Sequence, residues 1–314
     1  MISLAVALAL QSTAALVDDA ADPIGDLIAQ ASPTALEQTG IDHVQSLAPP
    51  GAEAFSTSQP TDFCHGAWRE GSLLVCQAPA GARLRLGEVE SVAGADGYAL
   101  LAIRRQAPAS LVFSISLDDV AMTRPVDITQ REYNLQHVDG VPQATVTPDP
   151  STLPRRQREY AQKQAAFNSV WDGQGFLDGF AHPAEGITTG VYGSARVYNN
   201  GHEGSPHWGL DWANEVGTPI YAPAGGLVTL AEPDMYYEGG LIFIDHGHGL
   251  VSAFLHLSGV DVSEGDIVEQ GQLIGAMGAG GRATGSHLDW RVKLRNQFYV
   301  DPESLLDLDL SELR

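Results

Sequence analysis

Gly204-Ser-Pro-His-Trp-Gly-Leu-Asp-Trp-Ala-Asn214 is the stretch on which the fold turns. It sets His207 four positions before Asp211, with Gly209 between them. Glycine is a poor helix former, so an extended turn entering a strand is expected there. A second cluster, His287-Leu-Asp289, lies far downstream. If it is a strand, alternate side chains share a face, and His287 and Asp289 point the same way. His207, Asp211 and Asp289 can then converge on one divalent metal. The donors are imidazole nitrogen and carboxylate oxygen, with no thiolate. That set suits zinc held by three protein groups with an open position for water. Alone, a His and an Asp at this spacing are read by default as a surface pair.

The surroundings of the pair carry more weight. Gly217-Thr-Pro-Ile-Tyr-Ala-Pro-Ala-Gly-Gly226, Asp245-His-Gly-His-Gly-Leu250, Leu255-His-Leu-Ser258 and Gly285-Ser-His-Leu-Asp-Trp290 follow in order. Short strands punctuated by Gly and Pro are expected at 218–222, 226–230, 241–244 and 250–254. Upstream, apolar runs at 72–76, 83–86, 97–103 and 110–116 suggest a small antiparallel sandwich or barrel. Between the two regions, Ser151-Thr-Leu-Pro154 is a helix-start signal, a hydroxyl cap followed by Pro. The helix is expected to carry Tyr160, Phe167 and Trp171 on one face and to cross the domain junction. The fold class is therefore mainly β, a small antiparallel β-sandwich-like domain followed by an open antiparallel β-sheet domain. The expected divisions are 1–17, 18–58 (a tether rich in Ala, Asp, Pro, Ser and Thr), 59–150, 151–175 (linking helix), 176–304 and a tail at 305–314.

The length of 314 residues allows about two domains. A formal charge of −22 argues against nucleic acid as a partner, because phosphate binding needs clustered cations. Only Lys163 and Lys293 among the 17 basic residues are lysine, a bias with no function attached. The apolar opening MISLAVALALQSTAALV, with small residues at Thr13-Ala14-Ala15, reads as a secretory signal or, less well on length, a retained anchor. Cys64 and Cys76 flank an expected hairpin and either form a disulfide in an exported protein or stay as two buried thiols.

The ordered motifs resemble those of the lysostaphin-type (LytM) zinc endopeptidases over about residues 176–302. The region that includes Arg131-Glu-Tyr-Asn-Leu-Gln-His-Val-Asp-Gly-Val-Pro142 is similar to the β-rich amino-terminal domain of exported bacterial members. The resemblance implies an open antiparallel sheet of the duplicated hybrid motif type. It also implies zinc-dependent hydrolysis of peptidoglycan peptide cross-bridges by metal-activated water, in the periplasm or cell envelope. By the same resemblance His207 and Asp211 are the first two metal ligands, and His256 and His287 are catalytic. Asp289 stands where the family has a ligating His. Two carboxylates and one neutral imidazole would balance the charge of Zn²⁺. Peptidoglycan peptides are the implied partner, with cell-division or other envelope proteins as further ones. The alternative is a catalytically degenerate groove that binds or activates other cell-wall hydrolases.

Three subsidiary readings complete the set. His246 is expected to be packed and hydrogen-bonded in a turn between strands. Trp208, Trp212 and Trp290 either wall the groove or contact substrate. Arg291 faces away from Trp290 and can neutralise a nearby acid.

Overall fold

The computed structural model describes residues 59–198 and 201–313. The signal or anchor, the tether with its short helix, and His43 lie outside the described residues. The first strands are β1 (Cys64–His65), β2 (Leu73–Gln77), β3 (Arg83–Leu86), β4 (Val89–Val92), β5 (Tyr98–Ala102), β6 (Ser110–Leu117) and β7 (Val120–Asp127). They make two antiparallel sheets, β1-β2-β5 and β4-β3-β6-β7. Cys64 and Cys76 are cross-strand partners on β1 and β2 and form the expected disulfide.

The apolar runs explain how the two halves of the molecule join. β3 alternates exposed Arg with buried Leu, because one of its faces meets water. β2 and β5 are unbroken apolar runs, which is the pattern of strands buried on both faces. Leu74, Cys76, Ala99 and Leu101 enter the amino-terminal core with Leu84 and Phe113. Leu73, Val75, Tyr98 and Leu100 point the other way, into the core of the following region with Trp212 and Trp290. The β1-β2-β5 sheet is thus a layer shared by two cores.

β8 (Leu135–Val138) leaves the amino-terminal sheets and pairs in parallel with β10 (Ala195–Tyr198), which also pairs with β11 (His202–Gly204). A single helical turn, α1 (Gln143–Val146), follows β8. The linking helix is α2 (Leu153–Phe167). Pro154 sits in its first turn as expected, but no hydroxyl caps it. The Thr152 Oγ1 instead donates to the Asp149 carbonyl in a preceding 3₁₀ turn (2.7 Å). The expected apolar face is also corrected. The buried side of α2 is Glu159, Lys163, Ala166 and Phe167, an i, i+4, i+7, i+8 stripe, and Tyr160 lies off it. The stripe packs on the back of the large sheet, not across the domain junction, with Ala166 and Phe167 against Leu241, Phe243 and Val251.

The large sheet runs β17-β14-β15-β16-β19-β12-β9, with β13, β18 and β20 attached, ten strands among the described residues. Their ranges are β9 (Ile187–Gly190), β12 (Gly209–Ala213), β13 (Pro219–Tyr221), β14 (Gly226–Met235), β15 (Gly239–Asp245), β16 (Leu250–Val260), β17 (Ile267–Val268), β18 (Leu273–Met277), β19 (His287–Leu294) and β20 (Phe298–Val300). The carboxy-terminal segment is packed: after α3 (Pro302–Leu306), Leu308, Leu310 and Leu313 enter the shared core, and the Tyr98 hydroxyl donates to the Leu313 carbonyl (2.8 Å).

His246 is fully buried, with Nδ1 2.8 Å from the Gly225 carbonyl and Nε2 2.7 Å from Ser252 Oγ. A carbonyl only accepts, so Nδ1 carries the proton and the ring is neutral. Burial lowers its pKa to about 4, against an ordinary value of about 6.5. Above about pH 6.5 it costs nothing; as pH falls towards 4 the unfolded chain binds a proton that the folded one does not. Stability should drop by roughly 1.4 kcal/mol per pH unit in that window from this group. Denaturant titrations of wild type and His246→Gln from pH 7 to 4 check this: the stability advantage of wild type should shrink as pH falls. A constant difference would contradict it.

Candidate metal centre

β19 is the strand that organises the site. Leu288, Trp290, Val292 and Leu294 enter the shared core, so His287, Asp289, Arg291 and Lys293 occupy the opposite face. On β12, Leu210 and Trp212 likewise enter the core and turn Asp211 to that same face. Register then brings Asp211 and Asp289 directly opposite one another, with Leu255 of β16 on the other side of Asp289. His207 precedes β12 and is pinned by its backbone, accepting from Gly193 N (2.7 Å) and donating to the Ser194 carbonyl (2.8 Å).

His207, Asp211 and Asp289 each offer a ligand atom within 4.8 Å of the others, and all three are buried. His207 Nε2 and Asp211 Oδ1 are 2.9 Å apart. Both are buried without a hydrogen-bond partner, an arrangement costly for two polar atoms unless a cation lies between them. Burial drives the His207 pKa down against the pull of Asp211, which leaves the imidazole neutral. Burial also works against ionisation of Asp289, but the Arg291 guanidinium outweighs it and holds the carboxyl far below the usual range. Asp211 is lowered as well. One neutral nitrogen and two ionised carboxylates are the protonation states a divalent metal requires, so the residues fit zinc.

The charge of the site differs from the expectation. Arg291 grips both oxygens of Asp289, Nε at 3.2 and 3.1 Å and Nη2 at 2.8 Å. Arg196, on β10, donates to Asp211 Oδ2 (3.0 Å) and to Gln136 Oε1 of β8 (3.2 Å). Two guanidiniums already match the two carboxylates, and a bound dication would leave the site net positive. The second ring nitrogen of His207, Nδ1, makes no hydrogen bond among the described residues.

His256 and His287 meet across the groove with ring centroids 4.7 Å apart. Simple alternation from Phe254 would bury His256 in the shared core. A bulge opposes Leu255 and His256 to Leu241 alone, and His256 takes φ +66°, which turns its ring to the groove. Its Nδ1 lies 2.8 Å from the Gly280 carbonyl and so bears the proton, leaving a lone pair on Nε2. Burial first, then His287, lowers its pKa to about 4. His287 Nδ1 lies 2.9 Å from the Gly285 carbonyl. The groove walls add Gln136, from the 131–142 stretch, and Tyr198, Tyr237, Glu238 and Arg282, which belong to no recognisable motif.

The tryptophans are corrected on both readings. Trp208, Trp212 and Trp290 do not line the groove. Trp212 and Trp290 stack beneath the sheet (6.1 Å, 21°), and Trp208 stacks on Tyr299 (5.0 Å, 10°).

Two glycines make room for these side chains. A Cβ on Gly190 would fall 2.2 Å from Asp211 Oδ2 and 3.1 Å from His207 Nε2, and one on Gly209 would fall 2.2 Å from Asp289 Oδ1. If these residues hold zinc, Gly190→Ala should lower its affinity by about tenfold or more, since Asp211 and His207 must shift. Gly190 is on the edge strand β9, so the melting transition should persist. Isothermal titration with zinc beside a thermal melt checks this, and unchanged affinity in a folded variant would count against it.

Residues 205–302 match Peptidase family M23. The chain is 38% identical over 93 residues to the peptidoglycan DD-endopeptidase ShyA of Vibrio cholerae, covering 30% of this chain and 21% of that relative. It is 36% identical over 99 residues to the DD-carboxypeptidase/endopeptidase Mpg of Neisseria meningitidis, covering 32% and 22%. The chain thus spans about a fifth of the length of these relatives. A crystal structure of a Pseudomonas aeruginosa protein ascribed to peptidase M23 superposes with TM-score 0.56 at 27% identity, covering 76% of this chain and 94% of that one. That coverage extends well beyond residues 205–302, so the likeness includes elements outside the family match. Residues 205–302 are thus an M23 peptidase region.

Proposed function

We propose that the protein is an exported zinc metalloendopeptidase that hydrolyses peptide cross-bridges of peptidoglycan. The observation that carries this reading is the convergence of His207, Asp211 and Asp289 beside the His256–His287 pair in one groove. His207 Nε2 and carboxylate oxygens of Asp211 and Asp289 would hold the metal. Zinc, when bound, supplies a Lewis acid that polarises a carbonyl and acidifies water. Arg196 and Arg291 keep the two carboxylates ionised and in place, and they offset the repulsion between acids on adjacent strands. His256, neutral and proton-bearing at Nδ1, offers Nε2 as the acceptor for the proton of an attacking water. His287, half-buried beside His256 with Nδ1 committed to the Gly285 carbonyl, presents Nε2 to the same proton transfer. The Cys64–Cys76 disulfide supports a location outside the cytoplasm, in the periplasm or cell envelope. The names of the relatives support peptidoglycan as the substrate.

A second reading is favoured by one observation. Because Arg196 and Arg291 already neutralise both carboxylates, the groove is also compatible with a metal-free module that binds or activates another cell-wall hydrolase.

Elemental analysis of native protein, with digestion of purified sacculi, separates the two. The hydrolase should carry about one zinc per chain, release soluble muropeptides, and lose about a hundredfold or more in rate as His256→Gln. Protein that neither contains zinc nor takes it up, and leaves sacculi intact, would leave only the second reading.

A further inference from the structure

The chain has two lysines, and both are buried: Lys163 is 4% and Lys293 1% exposed. An ammonium is taken from water only against a firm partner, so each marks a contact the fold depends on. The ammonium of Lys163, on α2, meets the Glu238 carboxylate. The rest of α2 grips the same hairpin between β14 and β15. Glu159 accepts from Tyr236 N (2.9 Å) and is held by Arg155 (2.6 Å). Arg155 reaches the Asp234 carbonyl (2.9 Å), and Arg156 donates to the Tyr237 hydroxyl (3.1 Å).

The inner side of that hairpin holds the groove. The Glu238 carbonyl accepts from His256 N (2.8 Å), and the Tyr237 carbonyl accepts from Arg282 N (2.8 Å). The backbones of Gly239 and Gly280 touch so closely that a Cβ on Gly239 would fall 2.7 Å from Gly280, whose carbonyl takes the His256 Nδ1 proton. His256 sits at φ +66°, a conformation that side-chain-bearing residues keep only where their surroundings impose it. Without those restraints the bulge would relax and the ring would leave the groove.

We infer that Lys163 is a positioning residue: through Glu238 it holds the strained backbone of His256 and so aims the imidazole into the groove. Helix α2, which lies upstream of the family match at 205–302, is then a working part of the peptidase and more than a connector. This inference rests on the reading of His256 as catalytic, and the test separates the two.

The test uses the full chain and three proteins: wild type, Lys163→Arg, and the double variant Lys163→Met with Glu238→Leu, which removes the pair without stranding a buried charge. Melting confirms folding. Turnover and KM are measured on cross-linked muropeptide dimers, and His256 ring signals are followed in ¹⁵N-histidine-labelled protein, assigned with His256→Gln. The folded double variant should lose about tenfold or more in kcat with zinc content little changed. Its His256 signals should move while those of His246 stay, and Lys163→Arg should keep most of the wild-type behaviour. A folded double variant with unmoved His256 signals overturns the inference, whatever its turnover. Moved signals with undiminished turnover support the brace and remove His256 from catalysis. If wild type cleaves no muropeptide, the proposed function fails, and the His256 signals still decide the brace.

Discussion

Two carboxylates face each other across a pair of antiparallel strands, and the rest of the site is arranged around that conflict. Asp211 and Asp289 are direct cross-strand partners, a placement in which like charges destabilise a sheet. Each is answered by a guanidinium, Arg196 for one and Arg291 for the other. Arg291 comes from the same strand face as its partner. Arg196 comes from β10, which is aligned by β8, a strand supplied by sequence far upstream. The Gln136 side chain of β8 completes the chain of contacts, accepting from Arg196 and donating to the Thr189 carbonyl (3.3 Å). Electrostatic balance at the centre therefore draws on segments that lie outside the large sheet.

The same economy of layers governs the packing. β2 and β5 serve two cores at once, and β15 and β16 do likewise, with Ile242, Ile244 and Phe254 facing the shared core while Leu241, Phe243 and Ala253 face α2. A strand buried on both faces cannot shift register by one residue without exchanging two apolar sets, so its position is strongly specified. The site residues on β12 and β19 inherit that rigidity from Trp212 and Trp290, stacked directly beneath them. Preorganised polar groups on a fixed sheet suit chemistry that needs donors aimed before substrate arrives.

How much of this was legible depends on locality. The common face of His287 and Asp289 followed from strand alternation alone, as did the opposition of Arg291 and Trp290. Alternation was not applied to Trp212, where it rules out the groove roles expected of it, because a neighbour of Asp211 on a strand must face away from it. The aim of His256 was not legible: it depends on a bulge created by pairing with β15, and nothing in Leu255-His-Leu-Ser258 announces an extra residue. Arg196 was invisible for a related reason, since its partners come from other strands and it belongs to no motif. The helix was legible as a helix, but its polar burying face was not, because Glu159 and Lys163 read as solvent residues until their partners on the hairpin are known. The disulfide was legible from two cysteines bracketing a hairpin.

Burial of Lys163 and Lys293 has a consequence for the chemistry of the surface. Lys293 lies between the rings of Phe167 (5.0 Å) and Tyr299 (4.9 Å) with its ammonium bonded to Asn296 Oδ1 (2.9 Å), so it is as shielded as Lys163. The exposed cations are guanidiniums, which hold their charge in alkali and are poor nucleophiles. Acylating, aldehyde and amide-forming cross-linking agents therefore meet no accessible side-chain amine on the folded chain. Modification of Lys163 or Lys293 by such a reagent becomes a direct clock for the moments when the helix lifts off the sheet.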